Sequence, residues 1–599
     1  MSTIILHIEK LRALCIALVF LYHLEVPGFH NGFLGVDVFF VISGFLMASL
    51  YGDMTSRQQA ADYFRRRMAR ILPAYYAVIL ITALFSFFLL LPHEIQMVME
   101  QSIWAAFFLP NVGYWLDTSY FDHTNLRPLL NLWSLGIEVQ FYLLFPLLLF
   151  IERRSRWLLG LLAAGSCLEY AILTRVDPLS AFFLLPGRLW EFLAGLGAAR
   201  VLARFDLEQL PGMQWWGAIS VTVLTAIVLI APSVSRDFTF VTTLAVVLLA
   251  ASAIVFGFTT GSDSNLVSRG LVSLGQYSYS VYLVHFPIIV FVMYTPFGGT
   301  NLSPTSQVAT FIAVLLTAVV AWLFYNFIER PTRKRLTGWQ LGAVGVSFCV
   351  LVVIVARPMV SLSQQFVDPK LWNMSNALND KDLFRCSAAT VAELNSENSC
   401  LIGSLPATVN KRHLLVGDSH ADAIKEPLAN YLNANNQTLR LMRDNVAVST
   451  DYPVALIISE ALRYDTDVII AHSIDNGVRP GSLAELAIAA AAHDIQVAFI
   501  EAVPKYGFNV PARLLADYRR THEMIIHAQR LQEIDVASEI AALEARHRNF
   551  HRFPTVQYFC DQQCLISNEA GNPYYYDSNH LTHTGAALLT PVFDQISKL

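Results

Sequence analysis

Up to about residue 357 the chain is a series of apolar stretches near twenty residues long, separated by short polar loops. Beyond that point apolar and polar positions mix as they do in a soluble protein. A bilayer core of about 30 Å takes roughly 20 apolar helical residues. That length predicts eleven helical spans, near 5–25, 33–51, 73–92, 133–151, 157–174, 182–200, 214–232, 238–257, 274–294, 306–327 and 339–357. The run at 102–116 is short and broken by Pro110, Asn111 and Gly113, and reads as re-entrant or interfacial. The first run holds Glu9, Lys10 and Arg12 and has no clear small-residue cleavage site, so it reads as a span and not as a removable signal. Residues 358–385 are polar and read as a linker. From 386 short strand and helix patterns alternate. HLLVGDSHADAI reads as strand, tight turn, helix; LRLM (439–442), DVIIAH (467–472) and QVAFIEAV (496–503) read as further strands. The expectation is a polytopic helical membrane domain followed by an α/β domain with a parallel sheet.

Composition agrees with this split. Charged residues are only 15% of the chain, against about 25% in soluble proteins, and mean hydropathy is +0.46. A wholly soluble protein is excluded. Aromatic residues at 12% exclude a disordered chain, and a net charge of −5 gives no footprint for nucleic acid. One alternating set of loops carries Arg57, Arg65, Arg66, Arg67, Arg70, Arg153, Arg154, Arg156, Arg200, Arg204, Arg269, Arg330, Arg333, Lys334 and Arg335; the other carries Arg127, Arg175 and Arg236. The positive-inside rule places the first set, and the N-terminus, in the cytoplasm. An odd number of spans then puts the soluble part outside the inner membrane.

Cys15, Cys167 and Cys349 fall inside apolar runs. Cys386 with Cys400, and Cys560 with Cys564, are two close pairs in the soluble part and read as disulfides of an oxidising compartment. A zinc site is the rival reading. Ionisable residues inside the membrane are costly and point to function. Arg12 and His23 lie eleven residues apart, about three turns and about 16 Å along one helix face. Asp37 and Glu138 add buried carboxylates. Arg188 and Glu191, at i, i+3, can neutralise each other, and His285 reads equally well as a core histidine. Arg67 and Arg70, also at i, i+3, can reach one phosphate-bearing ligand; a positive-inside stop signal is the plainer reading.

Arg12 and His23, GFLGVDVFFVISGFL, the Arg67-x-x-Arg70 pair before ILPAY, NLWSLGIEVQFYLLFP, PGRLWEFLAG, LGQYSYSVYLVHFPI and FYNFIERPTRKR occur in the order seen in membrane acyltransferase family 3. The resemblance covers roughly residues 5–335. It implies transfer of an acyl group, usually acetyl, from a cytoplasmic acyl-CoA to extracytoplasmic carbohydrate. By position, Arg12 and His23 become the essential pair, Arg67 and Arg70 serve acyl-CoA binding or the architecture around it, and Glu138 belongs to the same buried site.

In the soluble part Ser419 sits where a strand turns into a helix, at the end that favours negative charge. YYYDSNHLTHTGA puts Asp577 and His580 on one turn. Together these suffice for a Ser–His–Asp relay, with His580 deprotonating Ser419 and Asp577 orienting His580. His583 is the main decoy. Gly417-Asp418-Ser419-His420 and Asp577-x-x-His580 resemble the first and last blocks of the SGNH hydrolase family over roughly 386–599. That family's GxND block, which supplies an oxyanion-hole asparagine, has no clean counterpart; His472, Asn476 and Asn445 are weak candidates. Fused to a family 3 membrane domain, such domains imply a bacterial polysaccharide O-acetyltransferase, and the two cysteine pairs sit where fused members place them.

The resulting layout is a membrane domain at 1–335, an eleventh span and periplasmic linker at 336–385, and an SGNH-like periplasmic domain at 386–599. The expected donor is acetyl-CoA, without a metal. The expected acceptor is a cell-surface polysaccharide, with lipopolysaccharide O-antigen first and peptidoglycan second. A membrane-anchored esterase and a transporter with a regulatory soluble domain are the other classes; acetyl-CoA consumption separates the first reading from both.

Overall fold

The computed structural model describes residues 3–116, 126–205, 213–230, 239–258, 265–300, 302–303, 306–335, 337–365, 367–382, 384, 386, 398–442, 454–474, 480–531 and 537–599. The chain separates into two compact units, Met1–Leu362 and Ser363–Leu599.

In the first unit each predicted apolar run falls on a helix: α1 (Thr3–His23), α2 (Gly35–Tyr51), α3 (Arg57–Leu89), α4 (Trp133–Arg154), α5 (Arg156–Val176), α6 (Leu185–Arg204), α7 (Met213–Ile230), α8 (Thr239–Phe256), α9 (Leu266–Val292), α10 (Gln307–Leu323) and α11 (Gly338–Gln365). Among the described residues, eight helices are long and apolar enough to cross a membrane, fewer than the eleven expected. The difference has a physical cause. α1 carries Glu9, Lys10 and Arg12, α9 interleaves tyrosine, serine and histidine with its apolar residues, and Trp215–Ile230 of α7 is short. The run at 102–116 lies in two short helices, Pro92–Ala106 and Pro110–Leu116, with Phe108 between them at φ 57°.

α1 and α9 approach closely because Gly275 has no side chain: a Cβ there would lie 2.0 Å from the Glu9 carbonyl oxygen. Small residues permit such contacts between membrane helices. The approach brings the polar face of α9 against the charged face of α1.

The second unit is a sheet between helices. Strand order is β1-β3-β2-β4-β5-β7, with β1 Ser399–Ile402, β2 Lys411–Gly417, β3 Gln437–Met442, β4 Val468–His472, β5 Gln496–Ile500 and β7 Phe550–Phe553. A two-stranded ribbon pairs β6 (His527–Ala528) with β8 (Cys564–Leu565). The sheet is mixed, not purely parallel: β1 runs antiparallel to β3, and the other pairs are parallel. Residues 403–410 between β1 and β2 are too few for the helical crossover that parallel strands need. The central strands are apolar on both faces. Leu415, Ile470 and Ala498 enter one core, while Leu414, Val416, Ile469, Ala471 and Val497 enter the other. That is the pattern of a sheet covered on both sides.

Residues ahead of 386 pack on this unit. Met374 is in its core, and Tyr518 donates to the Asp368 carboxylate at 2.8 Å. Disulfides join Cys386 to Cys400 and Cys560 to Cys564.

Candidate active sites

In the soluble unit the site forms at the C-terminal end of β2, where open α/β sheets place their ligands. Gly417 closes the strand, and a Cβ there would lie 1.8 Å from the His472 carbonyl oxygen, so only glycine fits. Asp418 caps the next helix, α12 (Ser419–Ala434). Its carboxylate accepts from His420 N at 2.9 Å and Ile474 N at 3.0 Å, pinning the turn to the loop after β4. Ser419 is the first helical residue, so its N–H is one of those a helix leaves unbonded.

Ser419 Oγ lies 2.6 Å from His580 Nε2, and His580 Nδ1 lies 2.6 Å from Asp577 Oδ2. Asp577 Oδ1 accepts from the backbone N–H groups of Asn579 (2.9 Å) and His580 (2.8 Å). Burial pushes the Asp577 carboxyl up, but the hydrogen bond and charge of His580 and the two backbone N–H groups outweigh it and hold it below the usual range. Asp577 is therefore ionised, His580 Nδ1 donates to it, and Nε2 faces the serine as an acceptor. His583 faces Glu426 instead, at 3.3 Å. His472 is buried with Nδ1 3.0 Å from the Ile500 carbonyl oxygen; Asn445 and Asn476 lie outside the described residues.

In the membrane unit a cavity of about 70 Å³ is lined by Arg12 of α1, Ser43 of α2, Arg67 and Arg70 of α3, Glu138 and Tyr142 of α4, and Ser278, Tyr279 and Tyr282 of α9, among others. Arg12 pairs with Glu9 at 3.0 Å. Glu138 accepts hydrogen bonds from Ser43 and Tyr142. Arg67 lies 5.2 Å over the Tyr51 ring, and its buried Nε has no hydrogen-bond partner among the described residues. Three arginines and one carboxylate, Glu138, line the cavity, and Glu9 offsets Arg12 from outside the lining, which leaves a net positive charge that suits phosphate or carboxylate oxygens. His23 is not in this lining. It is bonded to His285 at 3.1 Å and packs edge-on against Phe286.

A family model described as an acyltransferase domain matches residues 5–326, more than half of the chain. The chain belongs to that acyltransferase family. A second model, for an SGNH domain fused to such acyltransferase domains, matches residues 385–595 of this family member. The O-acetyltransferase OatA of Staphylococcus aureus is 30% identical over 398 residues, covering 60% of the acyltransferase chain and 63% of the relative. The chain thus spans less than two thirds of that relative's length. Among solved structures, the periplasmic domain of a lipopolysaccharide acetyltransferase from Salmonella ser. Paratyphi A is 15% identical with a TM-score of 0.29, covering 39% of this chain and 97% of that one.

The acyltransferase family member also holds site neighbours that the sequence pattern did not single out. Tyr576 stacks on His580 with ring centroids 5.3 Å apart and planes 6° from parallel, and Lys381 Nζ lies 4.5 Å from the Tyr576 centroid. His420 sits 4.5 Å from His580, and burial, with His580 and His472 alongside, pushes it well below the usual histidine range. The Asp380 carbonyl accepts from His583 N at 2.8 Å, tying the segment ahead of Cys386 to the histidine loop. The run of tyrosines before Asp577 was a visible signal, but nothing in its spacing says which ring stacks. Asp37 shares Arg188 with Glu191, at 2.9 and 2.8 Å, so Arg188 carries two carboxylates instead of one.

Proposed function

We propose that this chain is an O-acetyltransferase. It moves acetyl from cytoplasmic acetyl-CoA across the inner membrane to a hydroxyl of a periplasmic polysaccharide, with O-antigen as the first acceptor to test. The observation that carries the reading is a complete Ser419–His580–Asp577 relay in a chain whose membrane unit has its own arginine-lined cavity. An anchor alone has no use for buried arginines, which weighs against a simple anchored esterase. All eleven long helices cross the bilayer in this reading, which leaves the N-terminus cytoplasmic and the relay periplasmic.

Arg12, Arg67 and Arg70 hold the anionic parts of the donor at the cavity mouth. A space of about 70 Å³ is far below the roughly 300–1,000 Å³ of a whole-ligand pocket, so only the acyl end enters. His23 acts as base in the membrane step: it takes the proton of a carrier nucleophile as that group attacks the acetyl thioester, the carrier–acetyl bond forms, the thioester bond breaks, and the proton passes to the leaving CoA thiolate. Glu138 orders the cavity through Ser43 and Tyr142. On the outer side Ser419 Oγ attacks the acetyl carbonyl while His580 Nε2 takes its proton. The Ser419–acetyl bond forms, the carrier's bond to acetyl breaks, and His580 returns the proton to the carrier. A sugar hydroxyl then attacks the acetyl-serine, giving its proton to His580; the sugar ester forms, the serine ester breaks, and Ser419 is reprotonated. Splitting the transfer into two ester exchanges lowers each barrier.

The test follows label from radiolabelled acetyl-CoA in membranes supplied with O-antigen or peptidoglycan. Acetyl-CoA-dependent labelling of O-antigen supports the full reading. Labelling of peptidoglycan alone moves the acceptor, and release of acetate from an acetylated glycan without acetyl-CoA consumption makes the chain an esterase.

A further inference from the structure

The His23–His285 contact fixes more than proximity. His285 Nδ1 lies 2.8 Å from the Tyr282 carbonyl oxygen and 3.1 Å from that of Val281. A carbonyl only accepts, so Nδ1 carries the proton. In a neutral imidazole the other nitrogen is then an acceptor. That nitrogen, His285 Nε2, lies 3.1 Å from His23 Nδ1, so His23 Nδ1 has to be the donor. That contact places the proton of His23 on Nδ1 and leaves Nε2 as its basic nitrogen. The remaining ring neighbours are Phe20, Tyr22, Tyr282 and Phe286. Among the described residues no carboxylate bonds either ring to favour an imidazolium.

We infer that His285 is the positioning residue of His23, holding it in the tautomer with a basic Nε2; this rests on the reading of His23 as the base of the membrane step. His285 does for His23 what Asp577 does for His580, with a carbonyl-anchored imidazole in place of a carboxylate. Its anchor belongs to the cavity: Tyr282, whose carbonyl holds His285, lines the cavity and bonds Ser134 Oγ at 2.5 Å and the Asn131 carbonyl at 2.8 Å. The residues lie 262 apart in sequence, and the Gly275 approach of α9 to α1 brings them together.

The test uses the full chain in membranes, with radiolabelled acetyl-CoA and CoA release as the readout. The variants are His23→Ala, His285→Phe and His285→Gln, each compared at equal membrane levels. His285→Phe keeps a ring but cannot accept from His23, and kcat is expected to fall by about 100-fold while KM for acetyl-CoA stays within about twofold. His285→Gln offers a carbonyl oxygen to His23 Nδ1 and is expected to restore at least about a tenth of the wild-type kcat. Wild-type kcat in His285→Phe, with His23→Ala inactive, overturns the inference and leaves His23 as base. Equal loss in the phenylalanine and glutamine variants also overturns it, because packing alone then explains the effect. Activity in His23→Ala overturns the reading on which it rests.

Discussion

The two units orient an imidazole by different means. In the soluble unit His580 has an ionised carboxylate on Nδ1, and that carboxylate is itself held by two backbone N–H groups of its own loop. In the membrane unit His23 has a second imidazole, held by backbone carbonyls of its own helix. A carboxylate both fixes the tautomer and stabilises the imidazolium that forms when the ring takes a proton. A neutral imidazole fixes the tautomer alone. The second arrangement avoids placing an unpaired charge beside the ring inside a bilayer, where such a charge is expensive. Buried carboxylates of that unit bond other groups: Glu138 takes hydroxyl hydrogen bonds, Asp37 and Glu191 share Arg188, and Glu329 bonds Ser280 and Arg333.

This contrast can be broken at several points. Ser419→Ala removes the proposed acceptor of the acetyl group, and glycan labelling is expected to fall by at least about 1,000-fold; residual labelling near the wild-type level would leave the soluble relay without a part in transfer. Asp577→Asn keeps the geometry but lets the amide hold His580 in the wrong tautomer, and turnover of acetyl-serine should drop by roughly 100- to 1,000-fold. A loss as small as that expected from rotating a surface side chain would erase the distinction between the units. Arg67→Ala removes a buried guanidinium from the cavity, and the KM for acetyl-CoA should rise by about 10-fold or more, with a charge-assisted hydrogen bond counted at about 1.5–3 kcal/mol. An unchanged KM would move the donor elsewhere.

The smallest expected effect concerns pH. Burial in the sheet lowers His413 to about 4, with the Thr438 carbonyl opposing in part, and His420 is also pushed well down. The folded soluble unit keeps both rings neutral where an unfolded histidine, near 6.5, is protonated. Stability rises with pH wherever the unfolded chain binds more protons. The contribution is therefore complete above about 6.5 and is lost as pH falls from there towards 4. Thermal unfolding of the full chain in detergent should show a Tm that declines across this window, and His413→Gln should flatten the slope. A Tm independent of pH there would contradict the burial argument.

Much of this architecture was legible because two kinds of signal are local. Apolar run length located all eleven long helices, and ordered motifs such as GFLGVDVFFVISGFL and NLWSLGIEVQFYLLFP carried the family resemblance. The strand-turn-helix around Gly417, Asp418 and Ser419 needed no tertiary information. Run length said less about crossing the membrane, because α1 and α9 trade apolar residues for those that line the cavity. β7 was missed: FHRF is four residues long, with His551 and Arg552 between its phenylalanines, and lies at the sheet edge. β1 was missed as well: SCLI is four residues long, and its antiparallel direction follows from the short 403–410 connection to β2 and not from any strand pattern. The partner of His23 was hidden because no local pattern encodes it. His285 looked like any apolar-face histidine until the close approach of α9 to α1 set the two rings together.

The central claim is that acetyl passes from a membrane step to Ser419 before it reaches sugar. It is tested most directly by giving radiolabelled acetyl-CoA to membranes carrying wild type, Ser419→Ala and His23→Ala, and following CoA release and label on glycan together. The account predicts that both variants lose glycan labelling, while Ser419→Ala alone keeps CoA release. Normal glycan acetylation by Ser419→Ala would contradict it and assign the whole transfer to the membrane unit.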